Sequence, residues 1–282
     1  MGSLADHPYR KMNGLGNSFV ILDLRDSGAA VDADSARLIA DPKTGPGCDQ
    51  VITIEHRDGE RFMGVWNADG SEVGACGNAA RCVGWLLMEE LGSDAVAFAT
   101  GEATLAATRV GDKRVAVDMG PPRFRWQDIP LAEQMDDTRF IDIKLGPIDN
   151  PVLWGPSAVN MGNPHCIFFV DDAQAQALER FGPMVENHPL FPERANVSVA
   201  QVTSRHAIRL RVWERGAGIT RACGTAACAV VAAAHRRRLT GRKATVTLDG
   251  GDLAVEWRED DDHIVMTGPV AFDEEGRLPA TL

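Results

Sequence analysis

The strongest pattern along the chain is a pair of small and apolar runs, each opened by a Cys-Gly pair and followed by a glycine. The first begins near Asn78 and ends before Gly92; the second begins near Thr225 and ends before Gly241. Both read as helices, each glycine suiting the C′ position where a left-handed residue stops a helix. Short β-rich runs read as strands: Val51–Ile54, Arg114–Asp118, Cys166–Val170 and Ile208–Trp213. The longest apolar stretch, Ala226–Ala234, is far short of the ~20 residues a membrane-spanning helix needs, so no membrane partner is expected.

These signals recur at a fixed interval. Val65-Trp66 and Val212-Trp213 stand 147 residues apart, as do Cys76-Gly77 and Cys223-Gly224, and 7 of the 18 aligned positions from 65 to 82 and from 212 to 229 are identical. Leu15-Gly16-Asn17 matches Met161-Gly162-Asn163 at an offset of 146, and Gly120-Pro121 matches Gly268-Pro269 at 148. Three landmarks in one order imply a duplicated domain, with a period too long for a solenoid. Residues 1–121 are expected to form the N-terminal repeat and 122–269 the C-terminal repeat, with a polar, proline-bearing connector from Pro122 to Pro156. The tail from 270 to 282 is expected to pack back on the first repeat.

Composition narrows the function classes. Apolar residues make up 44% and charged residues 24%, the balance of a globular protein with a real core. A formal charge of −11 argues against nucleic acid as a partner, because phosphate backbones need a basic face. The one basic run, His235–Arg238, falls in the last turn of the second helix, where cations favour the dipole. Asp6, His7 and Pro8 precede the first motif in place of a basic and apolar leader, so a cytoplasmic location is expected. Six cysteines are too sparse for a disulfide framework and are read one by one.

Cys76 and Cys223 each sit directly before a helix, at the positive end of its dipole, a position that lowers a cysteine pKa. A single such cysteine reads best as a small buried hydrophobe, but two equivalent ones in halves that differ at most positions point to chemistry. A zinc site is disfavoured. The gap of five residues between Cys76 and Cys82 exceeds the usual paired-ligand gap of ~2 to 4 and the gap of four between Cys223 and Cys228 is at its limit, and the second cysteines lie within the helices. No metal is expected; Cys82, Cys228 and Cys166 read as packing residues, and Cys48 has no assigned role. Two thiols suit proton removal from one face of a carbon and delivery to the other, one as thiolate and one as thiol. The backbone N–H groups of Gly77-Asn78 and Gly224-Thr225 can bind a substrate carboxylate and take up the charge it gains in the transition state. No P-loop, dinucleotide fingerprint or evident Schiff-base lysine accompanies them, so no cofactor is expected.

The chain resembles the diaminopimelate epimerase family along nearly its whole length. The resemblance rests on Lys11–Asn17 (KMNGLGN), Gly47–Gln50 (GCDQ), Asn67–Glu72 (NADGSE), Cys76-Gly77-Asn78, Gly162–His165 (GNPH), Arg194-Ala195-Asn196, Glu214-Arg215-Gly216 and Ala222–Thr225 (ACGT). It implies an α+β fold of two pseudo-symmetric domains, each a mixed sheet or barrel wrapped around a central helix, with the active site in the cleft between them. It implies interconversion of LL- and meso-2,6-diaminopimelate by Cys76 and Cys223, with His165 and Glu214 tuning the thiols. Asn17, Gln50, Asn67, Gly77, Asn78, Asn163, Asn196, Glu214, Arg215, Gly224 and Thr225 would grip the substrate; Arg215 suits bidentate capture of a carboxylate.

There are departures. Ser18 stands where the family usually has Asp, Ala79 and Ala226 replace glycines, and Glu274 falls where many members carry an aromatic residue of a homodimer contact, with Phe272 nearby. Competing readings are a two-cysteine racemase of proline, hydroxyproline or histidine type, and a non-catalytic amino-acid-binding protein. Asn78 after the first Cys-Gly stands against the proline type, and two thiols are more than binding alone requires.

Overall fold

The structure, a computed structural model, describes residues 2–147 and 149–281; residues 1 and 282, where the expected repeat and tail end, and 148 lie outside the described residues. The chain forms two compact units, Met1–Val117 with Gly268–Leu282, and Asp118–Thr267. Each combines a mixed sheet with few helices, an α+β architecture.

In the first unit, Pro8–Gly14 and Asn17–Asp23 form a hairpin closed by Leu15 and Gly16 alone. Both loop residues have positive φ, 60° and 77°, the backbone of a two-residue turn whose twist matches the strands. Asn17–Asp23 then pairs parallel with Gln50–Arg57, which pairs antiparallel with Glu60–Asn67. Glu60–Asn67 meets Ala95–Ala99 in parallel, and that strand pairs antiparallel with Thr104–Gly111. Ala271–Arg277 pairs antiparallel with Pro8–Gly14.

Helix α1 (Ala33–Ala40) is capped by Asp32, whose carboxylate accepts the Ser35 N–H while the Ser35 hydroxyl accepts the Asp32 N–H. Helix α2 (Gly77–Leu91) is buried on nearly every face, from Ala79, Ala80 and Cys82 to Leu86, Leu87 and Met88. Strands Pro8–Gly14, Asn17–Asp23, Ala95–Ala99 and Thr104–Gly111 all pack on it. Gly84 permits one of these approaches, since a Cβ there would lie 2.5 Å from that of Ala107. The helix stops as expected, at Gly92 with φ 59°.

The second unit repeats the ladder. Ser157–Asn160 pairs antiparallel with Pro164–Phe169, which runs parallel to Asn196–Ser204, and that strand pairs antiparallel with Ala207–Glu214. Ala207–Glu214 runs parallel to Lys243–Leu248, which pairs antiparallel with Gly251–Trp257. The same order of antiparallel and parallel pairings in both units is the structural counterpart of the sequence duplication. Helix α3 (Leu178–Glu186) packs on strands 196–204 and 207–214, as α1 packs on 50–57 and 60–67. Helix α4 (Gly224–Arg236) is buried through its alanine and valine run and is enclosed by five strands of its own unit.

Two sequence expectations need correction. Helix α4 ends at Arg236, not before Gly241. The left-handed residue that stops it is Arg238, φ 61°, with Arg238 N–H donating to His235 O and Leu239 N–H to Ala234 O. The stretch Pro122–Pro156 is also no simple polar connector: Ile129, Leu131, Ile141, Ile143, Leu145 and Leu153 are buried in one cluster with Phe168, Phe181, Val197 and Val199. The basic run helps to fasten it. The Arg236 guanidinium lies 4.1 Å from the Phe124 ring and donates to Thr138 Oγ1, while Arg237 lies 4.0 Å from the Phe140 ring and donates to Gly155 O. Among the described residues no helix is long and apolar enough to cross a membrane.

Candidate active site

Cys76 and Cys223 are the N-cap residues of α2 and α4, with nearly the same extended backbone: φ −143°, ψ 113° and φ −132°, ψ 113°. Neither thiol caps its helix. Each carbonyl instead accepts the first helical bond, from Ala80 N–H at 2.9 Å and Ala227 N–H at 3.1 Å. Gly77-Asn78 and Gly224-Thr225 therefore occupy first-turn positions, the positive end of a helix, which suits an anion.

In the first unit the polar residues form two linked groups. Asn17 Nδ2 donates to Asp49 Oδ2 at 3.1 Å, Asn78 Nδ2 donates to Asn17 Oδ1 at 3.4 Å, and Arg81 Nη1 donates to Asn78 Oδ1 at 3.1 Å. Beside them Gln50 and Asn67 are cross-strand partners, and Gln50 Nε2 donates to Asn67 Oδ1 at 2.9 Å. Asn67 Nδ2 donates in turn to Ser71 Oγ at 3.0 Å. Gln50 Oε1 is buried and accepts nothing from the described residues, which leaves it ready for an ammonium or N–H donor. Ser18, the departure from the family pattern, contributes its backbone N–H to Asp49 Oδ2 at 2.8 Å.

In the second unit Glu214 accepts a hydrogen bond from the Thr220 hydroxyl, and Cys223 Sγ lies 3.5 Å from Thr225 Oγ1. Burial and the negative charge of Glu214 push the Cys223 thiol well above its ordinary pKa, against smaller opposing contributions from the Thr225 hydroxyl and the Ala226 N–H. At Cys223 desolvation outweighs the dipole of the helix start. Burial likewise raises the Glu214 carboxyl.

His165 is fully buried, and its Nε2 lies 2.7 Å from Asn163 Oδ1. Burial, followed by the nearby Arg215 charge, pulls its pKa down to about 3, so the imidazole is neutral. Asn196, its cross-strand partner, donates Nδ2 to Pro164 O and accepts the Arg215 N–H, so its amide braces the main chain. Arg215 Nη1 donates to Glu193 O.

Three residues absent from the sequence-based set belong to this framework. Asp49 and Arg81 hold the Asn17–Asn78 pair. Glu186, buried, accepts from Trp213 Nε1 at 2.7 Å and Gly216 N–H at 2.9 Å, so it clamps the turn that carries Glu214 and Arg215. Arg81 lies three residues after Asn78, a spacing that faces it on a helix, and Asp49 adjoins Gln50; Glu186 offers no local signal.

The remaining cysteines are packing residues. Cys82, Cys166 and Cys228 are buried, and burial raises Cys82 to about 12. Cys48, left unassigned from sequence, packs against the core cluster that includes Val20 and Val51 and is raised by burial to about 11. Among the described residues one trio has metal-like spacing, Asp118, Asp261 and His263, but the Arg258 guanidinium bridges both carboxylates, the position a cation would take.

A family model described as diaminopimelate epimerase matches residues 9–125 and 157–272. The chain is 50% identical over 286 residues to the diaminopimelate epimerase of Nitrobacter hamburgensis, covering 100% of this chain and 98% of the relative. It is 52% identical over 291 residues to that of a Methylobacterium species, again covering 100% and 98%. Among solved structures, a hydroxyproline epimerase from Agrobacterium vitis with bound trans-4-hydroxy-L-proline superposes with a TM-score of 0.67 at 14% identity, covering 99% of this chain and 94% of the other. At that identity the likeness concerns the fold.

Proposed function

The chain belongs to the diaminopimelate epimerase family, and from that membership we propose how its own residues carry the reaction. It is an isomerase, an amino-acid epimerase of lysine biosynthesis that interconverts LL- and meso-2,6-diaminopimelate. Cys76 and Cys223 are the acid and base. One removes the α-proton as thiolate, and the other gives a proton to the opposite face as thiol. Cys223 is the proton donor of the resting enzyme, because burial and Glu214 keep its proton on; Cys76 is then the base. The carboxylate of the reacting end is held by the first-turn N–H groups of Gly77, Asn78, Gly224 and Thr225, and the negative charge developing there is stabilised by the same donors.

Asn17, Gln50, Asn67, Asn163, Asn196, Glu214 and Arg215 bind the other polar groups, Gln50 Oε1 being an acceptor available to an ammonium. Asn196 acts in part through Arg215, whose N–H it holds. His165, neutral beside Asn163, tunes the thiols together with Glu214. No cofactor or metal takes part in these steps, and the protein acts in the cytoplasm, where its thiols stay reduced. A homodimer is the assembly this reading implies, through the strand Ala271–Arg277, which exposes Phe272. Size-exclusion chromatography with light scattering tests that assembly, and a monomer at micromolar concentration rejects it.

The observation that carries the mechanism is the repeated N-cap cysteine, the same residue in the same backbone conformation in both units. A chiral assay with LL-diaminopimelate, proline, hydroxyproline and histidine tests the substrate. Turnover of another amino acid without diaminopimelate would overturn it. Cys76→Ala and Cys223→Ala should each abolish epimerisation with circular dichroism unchanged; retained turnover in either rejects the two-base mechanism.

A further inference from the structure

We propose that Asp49 and Arg81 are positioning residues that fix the sense of the Asn17 and Asn78 amides, and so the pattern of donors and acceptors those amides offer to substrate. The inference rests on the reading of Asn17 and Asn78 as substrate anchors and adds the groups that orient them.

The four side chains form one directional chain. An amide can face a neighbour with either its oxygen or its NH2, and the two choices reverse what it presents elsewhere. Here the ends leave no choice. The Asp49 carboxylate only accepts, so Asn17 turns its NH2 toward Asp49 and its oxygen toward Asn78. The Arg81 guanidinium only donates, so Asn78 turns its oxygen toward Arg81 and its NH2 toward Asn17. The two ends demand the same sense at the middle bond, and the bond has that sense. A carboxylate at both ends, or a guanidinium at both ends, would set the amides against each other.

Both ends are held independently of the amides. Asp49 Oδ2 also accepts the Ser18 N–H at 2.8 Å, and the Asp49 N–H donates to Ser18 O, so the carboxylate is fixed to the strand that begins at Asn17. Arg81 is fully buried, and its Nε donates to Pro269 O at 3.3 Å. Gly14 leaves room for that seat: a Cβ there would lie 2.9 Å from Arg81 Nη2 and 3.2 Å from Asn78 O. Of the two glycines in the Asn13-Gly14-Leu15-Gly16-Asn17 run, Gly14 thus serves the guanidinium and Gly16 the turn.

The test is a cycle on the full-length enzyme, with steady-state epimerisation of LL-diaminopimelate as readout. Asp49→Ala should raise KM about tenfold with kcat within about twofold, the loss expected when one hydrogen bond that orients a binding group is removed. Asp49→Asn, which keeps an accepting oxygen, should bring KM back to within about twofold of the parent, a rescue that general loosening of the loop would not give. In an Asn17→Ala background, Asp49→Ala should add less than about twofold, because the group it orients is gone. Arg81→Gln should show the same KM signature; where it fails to fold, the Asp49 series still decides. Unchanged KM in Asp49→Ala, or an equal rise with and without Asn17, overturns the positioning role and leaves Asn17 as an anchor. An Asn17→Ala enzyme with unchanged KM instead rejects the anchor reading, and this proposal with it.

Discussion

The Glu214 carboxylate, which accepts from the Thr220 hydroxyl, lies near enough to Cys223 for its charge to raise the thiol pKa. That charge ties the proton state of the cysteine to a residue one short strand away. Burial raises the thiol first, and the Glu214 charge raises it further. Neutralising that charge in Glu214→Gln must therefore lower the Cys223 pKa. Iodoacetamide modification of Cys223, followed by mass spectrometry in a Cys76→Ala background, should rise at lower pH in the variant than in its parent. A profile that stays in place or moves to higher pH would remove Glu214 from the tuning of this thiol.

His165 makes stability depend on acid. Its pKa falls from 6.5 to about 3 on folding, so the folded state binds fewer protons than the unfolded state between those values. The stabilisation is complete above 6.5 and is lost as pH falls toward 3. At pH 5 the loss from this one buried group is about 2 kcal/mol. Urea unfolding at pH 7 and pH 5 should show parent protein losing about that much more than His165→Gln. Equal losses in both proteins would mean that the imidazole is charged in the folded state.

What sequence made legible here was periodic or duplicated. The Cys-Gly helix starts, the strands at 114–118 and 207–214 and the Gly92 stop all carry local signals that the fold obeys. The short helices α1 and α3 did not stand out, because eight or nine residues give few turns of periodicity and α3 contains Pro183. The stretch 122–156 misled for another reason. Its apolar residues are scattered among prolines and charges, and only tertiary contact gathers Ile129, Ile141 and Leu153 into one core. Which cysteine keeps its proton was not legible from sequence, because dipole position is local while the burial that raises Cys223 is not. Glu186 was invisible for the same reason: its partners Trp213 and Gly216 lie 27 and 30 residues away.

Glu186 should be worth much more to stability than its remoteness from the cysteines suggests. Its oxygens accept from Trp213 Nε1, Gly216 N–H and Arg194 Nη1, and its side chain is 7% exposed. Removing an acceptor strands its donors, which costs the desolvation of each as well as the bond. Glu186→Ala should lower unfolding free energy by about 2–4 kcal/mol. Glu186→Gln, which keeps one accepting oxygen, should fall between it and the parent. A Glu186→Ala protein within about 0.5 kcal/mol of the parent would show that water replaces the carboxylate at little cost.

The two central helices stop in the same way with different residues, and that difference is testable. Gly92 and Arg238 both take left-handed backbone, φ 59° and 61°, and in each case the next residue's N–H reaches back to the helix, Ser93 to Met88 O and Leu239 to Ala234 O. Glycine adopts this conformation freely, whereas a Cβ meets the following carbonyl at a cost of about 1 kcal/mol. Arg238 is exposed, so replacing it removes little packing. Arg238→Gly should therefore stabilise the protein by about 0.5–1 kcal/mol, and Gly92→Ala, with no atom within 4 Å of the new Cβ, should destabilise it by about 1 kcal/mol through backbone strain alone. Gly241, whose new Cβ also meets nothing and whose φ is not in the left-handed range, should accept alanine without loss. Thermal unfolding of the three variants decides the matter: if Gly241→Ala is the damaging change and Arg238→Gly is not stabilising, the second helix ends where its glycine stands and not at Arg236.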